Sequence, residues 1–182
     1  IISPIEVNKD YPNYKLIDSP KENIDLKEPF KVKSVDGYSM LINLKRLNQI
    51  DNFYYFDENF FMYLENDDLC KRLNNKNENI YIIPKSQIKH LGGQAVNNLY
   101  KTEVELSRNW HWTWSKFYYN KKHYGYIFAL FNGLPNFISS FLKFLIYSIF
   151  NDKKKIIYLN RLKGFISALF GKSSSYRPKI ND

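Results

Sequence analysis

An acidic cluster offers the clearest chemistry in this sequence. Glu65, Asp67 and Asp68 lie within four residues, and Asn66 stands among them. Carboxylates this close together can hold a divalent cation, or one of them can act as a general base near neutral pH. Acidic residues at this spacing also stabilise the first turn of a helix, because they face the positive end of its dipole. On spacing alone, helix capping is the favoured interpretation.

A histidine and an arginine are the other candidates for a site. His90 precedes two glycines in a predicted loop, where it could ligate a metal or donate to a phosphate, although a structural histidine is more common there. Arg108 could grip a diphosphate while one of the tryptophans that follow, Trp110, Trp112 or Trp114, stacks on a sugar ring. Aromatic clusters beside a membrane helix are more often interfacial anchors, and we favour that interpretation for the three tryptophans.

Alternating strands and helices are expected to position these residues. Residues 31–43 favour a strand with a bulge or kink at Gly37, and residues 80–83 form a short strand that the following proline ends. A helix begins with an asparagine cap and runs over 66–73, and the apolar spacing over 98–122 predicts a longer helix. Strand, helix, strand and helix in this order indicate an α/β layer.

The sequence becomes apolar after this layer. Lys143 is the only charged residue of the segment 124–150. Asn, Gly and Pro near position 135 predict a break, so the uninterrupted helix would cover 136–150, about 22 Å, which is short of the ~30 Å hydrocarbon thickness of a bilayer. A further helix over 156–170 has an apolar side and a basic side, which is the interfacial pattern.

Composition and charge restrict the possible partners. The 182 residues carry 27 Lys and Arg against 18 Asp and Glu, and residues 151–182 hold eight of the basic residues against two acidic ones. This balance indicates an anionic partner. Because the charge follows an apolar segment and no nucleic-acid motif is present, we expect a membrane surface and no nucleic acid. The single cysteine, Cys70, excludes a disulfide scaffold and is expected to be a core residue.

Four segments carry a family resemblance. Residues 35–42, 56–73, 90–93 and 108–119 resemble, in order and spacing, the second half of bacterial family 2 glycosyltransferases of the rhamnosyltransferase-like type. Residues 161–178 are similar to the end of such enzymes. The resemblance implies the C-terminal portion of the GT-A nucleotide-sugar fold, inverting transfer from a nucleotide sugar, and a divalent cation, Mg²⁺ or Mn²⁺, that bridges the donor phosphates.

The resemblance also implies the general base. Where the family commonly has Glu-Asp, this chain has Glu65 followed by Asn66, and an amide cannot accept a proton. Asp67 is therefore the expected base, with Glu65 and Asp68 as alternatives.

Other roles follow from the same resemblance. His90 is expected to bind the metal beside the diphosphate, and Arg108 to bind the diphosphate. Gly37 and Asp57 are expected on the acceptor side.

The predicted organisation has three parts. Residues 1–122 form the acceptor-side half of the GT-A domain, residues 123–172 form membrane-associated helices, and 173–182 form a tail. The family's donor-binding half has no counterpart, and the chain begins at Ile1 without a signal peptide pattern, so we expect a fragment that is inactive alone.

The expected function is transfer of a sugar to a glycan or lipid-linked acceptor in bacterial surface polysaccharide synthesis. Rhamnose transfer is the nearest analogy in the family that the chain resembles. The expected location is peripheral, on the cytoplasmic face of the inner membrane. The alternative is a non-catalytic remnant that binds a membrane or a partner enzyme.

Overall fold

The computed structural model describes residues 1–7, 12–17, 27–50, 52–92 and 96–179. The chain forms two compact units, one of Ile1–Asp57 with Glu65–Gly92 and the other of Glu58–Leu64 with Gly93–Asp182. The described part of the first unit contains strands and short helices, and that of the second is helical. The expected mixed α/β class with helices at the C-terminal end is therefore confirmed. The predicted division at residue 122 was drawn between a catalytic part and a membrane-associated part, not between compact units, and it stays a prediction.

Small sheets form the framework of the first unit. Strands β1 (Ile2–Glu6), β5 (Tyr81–Ile88) and β3 (Phe30–Lys31) lie in the order β1-β5-β3, with β1 parallel and β3 antiparallel to β5. Strands β2 (Tyr14–Lys15) and β4 (Ser34–Val35) form a separate antiparallel pair. Their apolar side chains build a core with α2 that includes Val32, Val35, Cys70, Ile80 and Ile82.

The prediction of one strand over residues 31–43 was wrong. The segment changes partner: the Val32 amide donates to the Ile80 carbonyl, whereas the Lys33 amide donates to the Lys15 carbonyl. It thus pairs first with one sheet and then with the other, and a turn begins at Gly37. Helix α1 (Leu44–Leu47) follows, capped by the side chain of Asn43.

The strand predicted for 80–83 is longer than expected, because it continues through Pro84. In the β1–β5 ladder, Pro4 is opposite Ile83 but the next residue, Ile5, is opposite Gln87. Residues 84–86 therefore lie in an irregularity of the ladder. A proline has no amide hydrogen to donate, and such an irregularity requires none.

Helix α2 (Glu65–Asn75) carries the acidic cluster in its first turn, as predicted. It begins one residue earlier than expected, so Asn66 is not the cap but a helical residue. Leu69, Cys70 and Leu73 are buried, which confirms Cys70 as a core residue. Burial raises the pKa of its thiol to about 11.

Three long helices form the second unit. A 3₁₀ turn (Asn98–Tyr100) leads into α3 (Lys101–Tyr124), which is followed by α4 (Tyr126–Phe150) and α5 (Asp152–Leu169). Helices α3 and α5 match the predictions within a few residues. The core between the helices includes Trp110, Trp114, Phe117, Ala129, Phe165 and Ala168.

The predicted break near residue 135 is absent from this described helix. Pro135 lies inside α4, which is continuous over 25 residues, roughly 37 Å at 1.5 Å per residue. Proline removes one hydrogen bond of the helix ladder, and the helix continues on both sides, packed against α3 and α5. Among the described residues, α4 is the one helix long and apolar enough to cross a membrane.

Candidate functional site

The acidic cluster follows a strained connection. Tyr63 and Leu64 have φ angles of 69° and 67°, so two successive non-glycine residues adopt the left-handed conformation directly before Glu65. Each costs of order 1–3 kcal/mol, and residues held in this way cluster at functional sites.

Glu65 has an unsatisfied oxygen at this turn. Within the described part of the chain, its Oε2 is buried and has no hydrogen-bond partner. A buried acceptor without a partner costs roughly 1–3 kcal/mol, and more when it is charged. A hydroxyl or amide donor of a bound molecule would remove this cost.

Asn66 is held by the strand region rather than by the helix end. Its Nδ2 donates to the Val35 carbonyl at 2.7 Å. A Cβ placed on Gly37 would lie 3.3 Å from the Asn66 Cβ, so the glycine allows a close approach of the turn to the helix. The structure thus brings Gly37 and the acidic cluster together. The Asn66 side chain has a structural role here.

Asp67 is the accessible carboxylate whose partner could be exchanged. Lys15 Nζ lies 2.8 Å from Oδ1 and 2.9 Å from Oδ2 of Asp67. The lysine side chain is 65% exposed and that of the aspartate 15%. Exposed ion pairs of this kind contribute little to stability, about 0–1 kcal/mol. A substrate hydroxyl could therefore replace Lys15 at Asp67 at low cost.

Asp68 is fully buried and paired with Arg72, whose Nε lies 2.8 Å from its Oδ2. The same guanidinium donates to the carbonyls of Tyr54 and Tyr55, and it lies over the Tyr54 ring. Arg72 thus fastens a loop to α2, and Asp68 orients its guanidinium. A bound hydroxyl would have to displace Arg72 to reach it.

His90 contacts Tyr38, the residue that follows Gly37. The two rings stack at 4.2 Å, and both the His90 amide and the Tyr38 hydroxyl donate to Glu6 Oε2. These contacts orient the exposed imidazole at the end of β5. Of the loop predicted to follow His90, Leu91 and Gly92 are described, whereas Gly93 lies outside the described residues.

Asp57 and Arg108 are the two remaining predicted site residues. Asp57 is buried at the end of the first segment of the first unit. Arg108 is exposed on α3 in the second unit. Their assigned roles stay predictions.

The described residues do not form a complete metal site. They contain no group of three or more His, Cys, Asp or Glu side chains that could hold an ion. Asp67 is paired with Lys15 and Asp68 with Arg72, while the His90 ring stacks on Tyr38. The expected divalent cation therefore stays a prediction, and no chemical step below depends on it.

The anchor interpretation of the tryptophans was wrong for two of the three. Trp110 and Trp114 are 5% and 3% exposed, and their rings stack in the core of the second unit. Trp112 alone is exposed, with its ring edge-on to Tyr63. The spacing i, i+4 places the first and third rings on the same inward face of α3, which explains the difference.

Sequence reasoning missed His111, which is fully buried on α3. Its Nε2 lies 2.9 Å from the Tyr176 carbonyl and its Nδ1 2.9 Å from the Ser174 hydroxyl. Nε2 must donate, because a carbonyl can only accept, whereas the Ser174 hydroxyl can donate to Nδ1 when the ring is neutral. Burial lowers the pKa of His111. Trp114 Nε1 donates to the Lys172 carbonyl, so the described end of the chain, 172–179, is fastened along α3.

Helix α4 buries small side chains and exposes many of its large apolar ones. Its buried residues are the small ones Ala129, Gly133 and Ser140. Its large apolar side chains face outward, and Phe131 and Ile149 are 68% and 78% exposed. Leaving a side chain of this kind in water rather than burying it costs roughly 1.5–3 kcal/mol. An exposed apolar face of this kind is typical of a surface that contacts a membrane or another protein.

Comparison with known proteins gives no match for this chain: no family model, no curated protein and no solved structure is similar to it. The resemblance to family 2 glycosyltransferases therefore stays a prediction.

Proposed function

We propose that the chain is the acceptor-side part of an inverting glycosyltransferase of GT-A type that works at a membrane surface. The observation that carries this proposal is the unsatisfied Oε2 of Glu65 in the same first turn of α2 as Asp67, whose partner Lys15 is exposed. Both follow the strained pair Tyr63–Leu64. A helix turn with one carboxylate that lacks a hydrogen-bond donor and another whose partner is exchangeable suits a sugar acceptor.

In this proposal the two carboxylates have different roles. Glu65 accepts a hydrogen bond from one acceptor hydroxyl and orients the sugar. Asp67 exchanges Lys15 for the attacking hydroxyl and takes its proton as the oxygen attacks the anomeric carbon of the donor sugar. The bond from that carbon to the diphosphate oxygen breaks at the same time, and the nucleoside diphosphate leaves with the electron pair. The lysine, released from the carboxylate, remains near enough to offset the charge of a donor phosphate. General base catalysis of this kind contributes about 10²–10⁴-fold in rate.

The membrane part of the proposal is supported by α4. Its neighbours α3 and α5 carry charged residues in the middle of their length, among them Lys116 and Arg161. Charges are expensive in hydrocarbon, and both helices pack against α4. We therefore infer that α4 lies in the plane of the interface, with its apolar face in the lipid and α3 and α5 on the water side. This orientation keeps the enzyme beside a lipid-linked acceptor.

Sugar transfer tests the catalytic part. The protein as its gene encodes it, with any upstream sequence, is assayed for transfer from nucleotide sugars to glycan and lipid-linked acceptors. Asp67→Asn is expected to reduce the rate at least 10²-fold, with smaller losses for Glu65→Gln and His90→Ala. Glu28→Gln, which removes the same charge from an exposed pair with Lys85, is the matched control. Undiminished transfer by Asp67→Asn would refute the base assignment.

Vesicle flotation tests the membrane part. Phe131→Glu with Ile138→Glu places two charges on the exposed face of α4 and is expected to abolish flotation with neutral phosphatidylcholine vesicles. Leu99→Glu is the control, since Leu99 is also exposed but lies outside α4. Unchanged flotation of the double variant would exclude α4 as the contact.

A second candidate function is a non-catalytic remnant that binds a membrane or a partner protein. Asn66 favours it, because its amide cannot accept a proton and is tied to Val35. In this case the complete gene product binds vesicles but transfers no sugar with any donor.

A further inference from the structure

A pocket opens between the three helices of the second unit. It measures about 140 Å³, several times the roughly 30 Å³ that one water occupies in the liquid. Helix α3 contributes Lys116 and Asn120, α4 contributes Asn136 and Lys143, and α5 contributes Arg161. The pocket therefore has room for a group of several heavy atoms.

The charge of this pocket is one-sided. Three of the residues that line it are cationic. Among the described residues, no acidic side chain lines it. Lys143 Nζ and the guanidinium carbon of Arg161 lie 5.6 Å and 5.3 Å from the centre of the same Tyr158 ring. The two cations are thus within about 11 Å of each other. Among the described residues no carboxylate pairs with Lys116, Lys143 or Arg161.

Hydrogen-bond donors complement the cations. Arg161 donates its Nε to Asn109 at 2.7 Å, which orients the guanidinium. The hydroxyls of Ser139 and Ser140 and the amide of Asn136 also line the pocket. A cluster of cations, hydroxyls and amides without a counter-charge suits a multiply charged oxyanion.

The pocket lies on the inner side of α4, opposite its exposed apolar face. Asn132, Asn136, Ser140 and Lys143 recur at helical spacing and form a polar stripe on a mainly apolar helix. If the apolar face lies in lipid, the stripe is at the depth of the headgroups. Basic pockets between helices at this depth bind phosphorylated lipid headgroups.

We propose that this pocket binds the terminal phosphate of a membrane lipid, a phosphate monoester or diphosphate. The proposal rests on the membrane-surface part of the function proposed above, and not on sugar transfer. Lys116, Lys143 and Arg161 neutralise the phosphate, and the serines and asparagines bind its oxygens. The lipid tails follow α4 into the bilayer, so that one lipid fixes the protein at a defined depth.

Vesicles test this selectivity. Wild-type protein is compared on phosphatidylcholine vesicles that contain phosphatidic acid, a phosphate monoester, and on vesicles that contain phosphatidylglycerol, a diester, matched for surface potential. Binding to the monoester vesicles is expected to be at least ten-fold tighter. Lys116→Gln with Lys143→Gln should remove this preference while leaving binding to neutral vesicles unchanged. Lys163→Gln, on the exposed side of α5, should retain it.

A steric variant makes the test independent of charge. Ser139→Leu fills the pocket from an exposed position without removing a cation, and it should also abolish the preference. Helical circular dichroism of each variant checks the fold. A preference that survives both the double lysine variant and Ser139→Leu would overturn the proposal.

Soluble probes show whether the pocket prefers a lipid phosphate to a free phosphate, and they do so without requiring that the protein bind a membrane. Dihexanoyl phosphatidic acid below its micelle concentration is titrated by calorimetry, so binding at the pocket is measured even if α4 does not hold the protein on vesicles. Inorganic phosphate and pyrophosphate are titrated in the same way. Tighter binding of the lipid is the expected result. Equal or tighter binding of the free anions would overturn the lipid assignment.

Discussion

Replacing Gly164 by alanine tests the close packing of α5 on α3. A Cβ at this position would lie 2.2 Å from the Trp110 carbonyl oxygen and 2.6 Å from the Thr113 hydroxyl. The nearest atom belongs to the backbone of α3 and cannot rotate away. To restore ordinary contact, the two helices must separate locally by about 1 Å, given C···O contacts of roughly 3.3 Å.

The magnitude is the balance of three effects. Alanine in a helix is favoured over glycine by about 1 kcal/mol. Forced overpacking costs roughly 1–3 kcal/mol. Separation also weakens the 2.9 Å bond from the Thr113 hydroxyl to the Arg161 carbonyl, worth about 0.5–1.5 kcal/mol. Because the obstacle is backbone, the upper part of these ranges applies, and the expected net loss is about 1–3 kcal/mol.

Thermal unfolding monitored by circular dichroism measures this loss. At roughly 2–4 °C per kcal/mol for a chain of this size, Gly164→Ala should lower the Tm by about 2–12 °C. Lys163→Ala, at the exposed neighbouring position, is the control and should change the Tm little. An increase in the Tm of Gly164→Ala would mean that helix propensity dominates and that the two helices are not in close contact.

Three other predictions concern buried groups. Arg72→Met removes the guanidinium that pairs with the buried Asp68 and should lower the free energy of unfolding by about 3–5 kcal/mol in urea titrations; a loss below 1 kcal/mol would contradict the described pair. Burial holds the pKa of His111 below its usual 6.5, so the stability it contributes is complete above pH 6.5 and falls as the pH decreases below that value. His111→Gln should therefore flatten the Tm profile between pH 7.5 and 5.5, and profiles of the same slope would exclude this role. Cys70, with a pKa raised to about 11, should react with a disulfide reagent at pH 8 only as fast as the protein unfolds, and rapid labelling of the native protein would show that the thiol is accessible.

Local patterns predicted the helices better than the strands. The apolar spacing of α3 and the acidic first turn of α2 are properties of short segments, and both were found where expected. The strand predicted over 31–43 failed because its residues change from one sheet to the other, which depends on distant partners at Lys15 and Ile80. Helix α4 was predicted to break because the cost of Pro135 was judged without the packing on both sides of it.

The candidate site was predictable in composition but not in contacts. The sequence places Glu65, Asp67 and Asp68 together, yet only the fold separates them into an unsatisfied carboxylate, one paired with an exposed lysine and one buried with an arginine. The partners Lys15 and Arg72 decide this difference. His111 was missed because a single histidine among tryptophans has no sequence pattern, and its partners lie more than 60 residues away.

The short segment 58–64 has a consequence for biosynthesis. It belongs to the second unit although the chain on both sides of it belongs to the first, and Phe60 joins a core cluster that includes Phe165. About 100 further residues must be made before that partner exists, which takes roughly 5–20 s at 5–20 residues per second. Meanwhile this apolar segment stays uncovered on the nascent chain. A chaperone or the membrane itself would protect it during this interval, and a product that terminates at residue 92 would retain the exposed segment permanently.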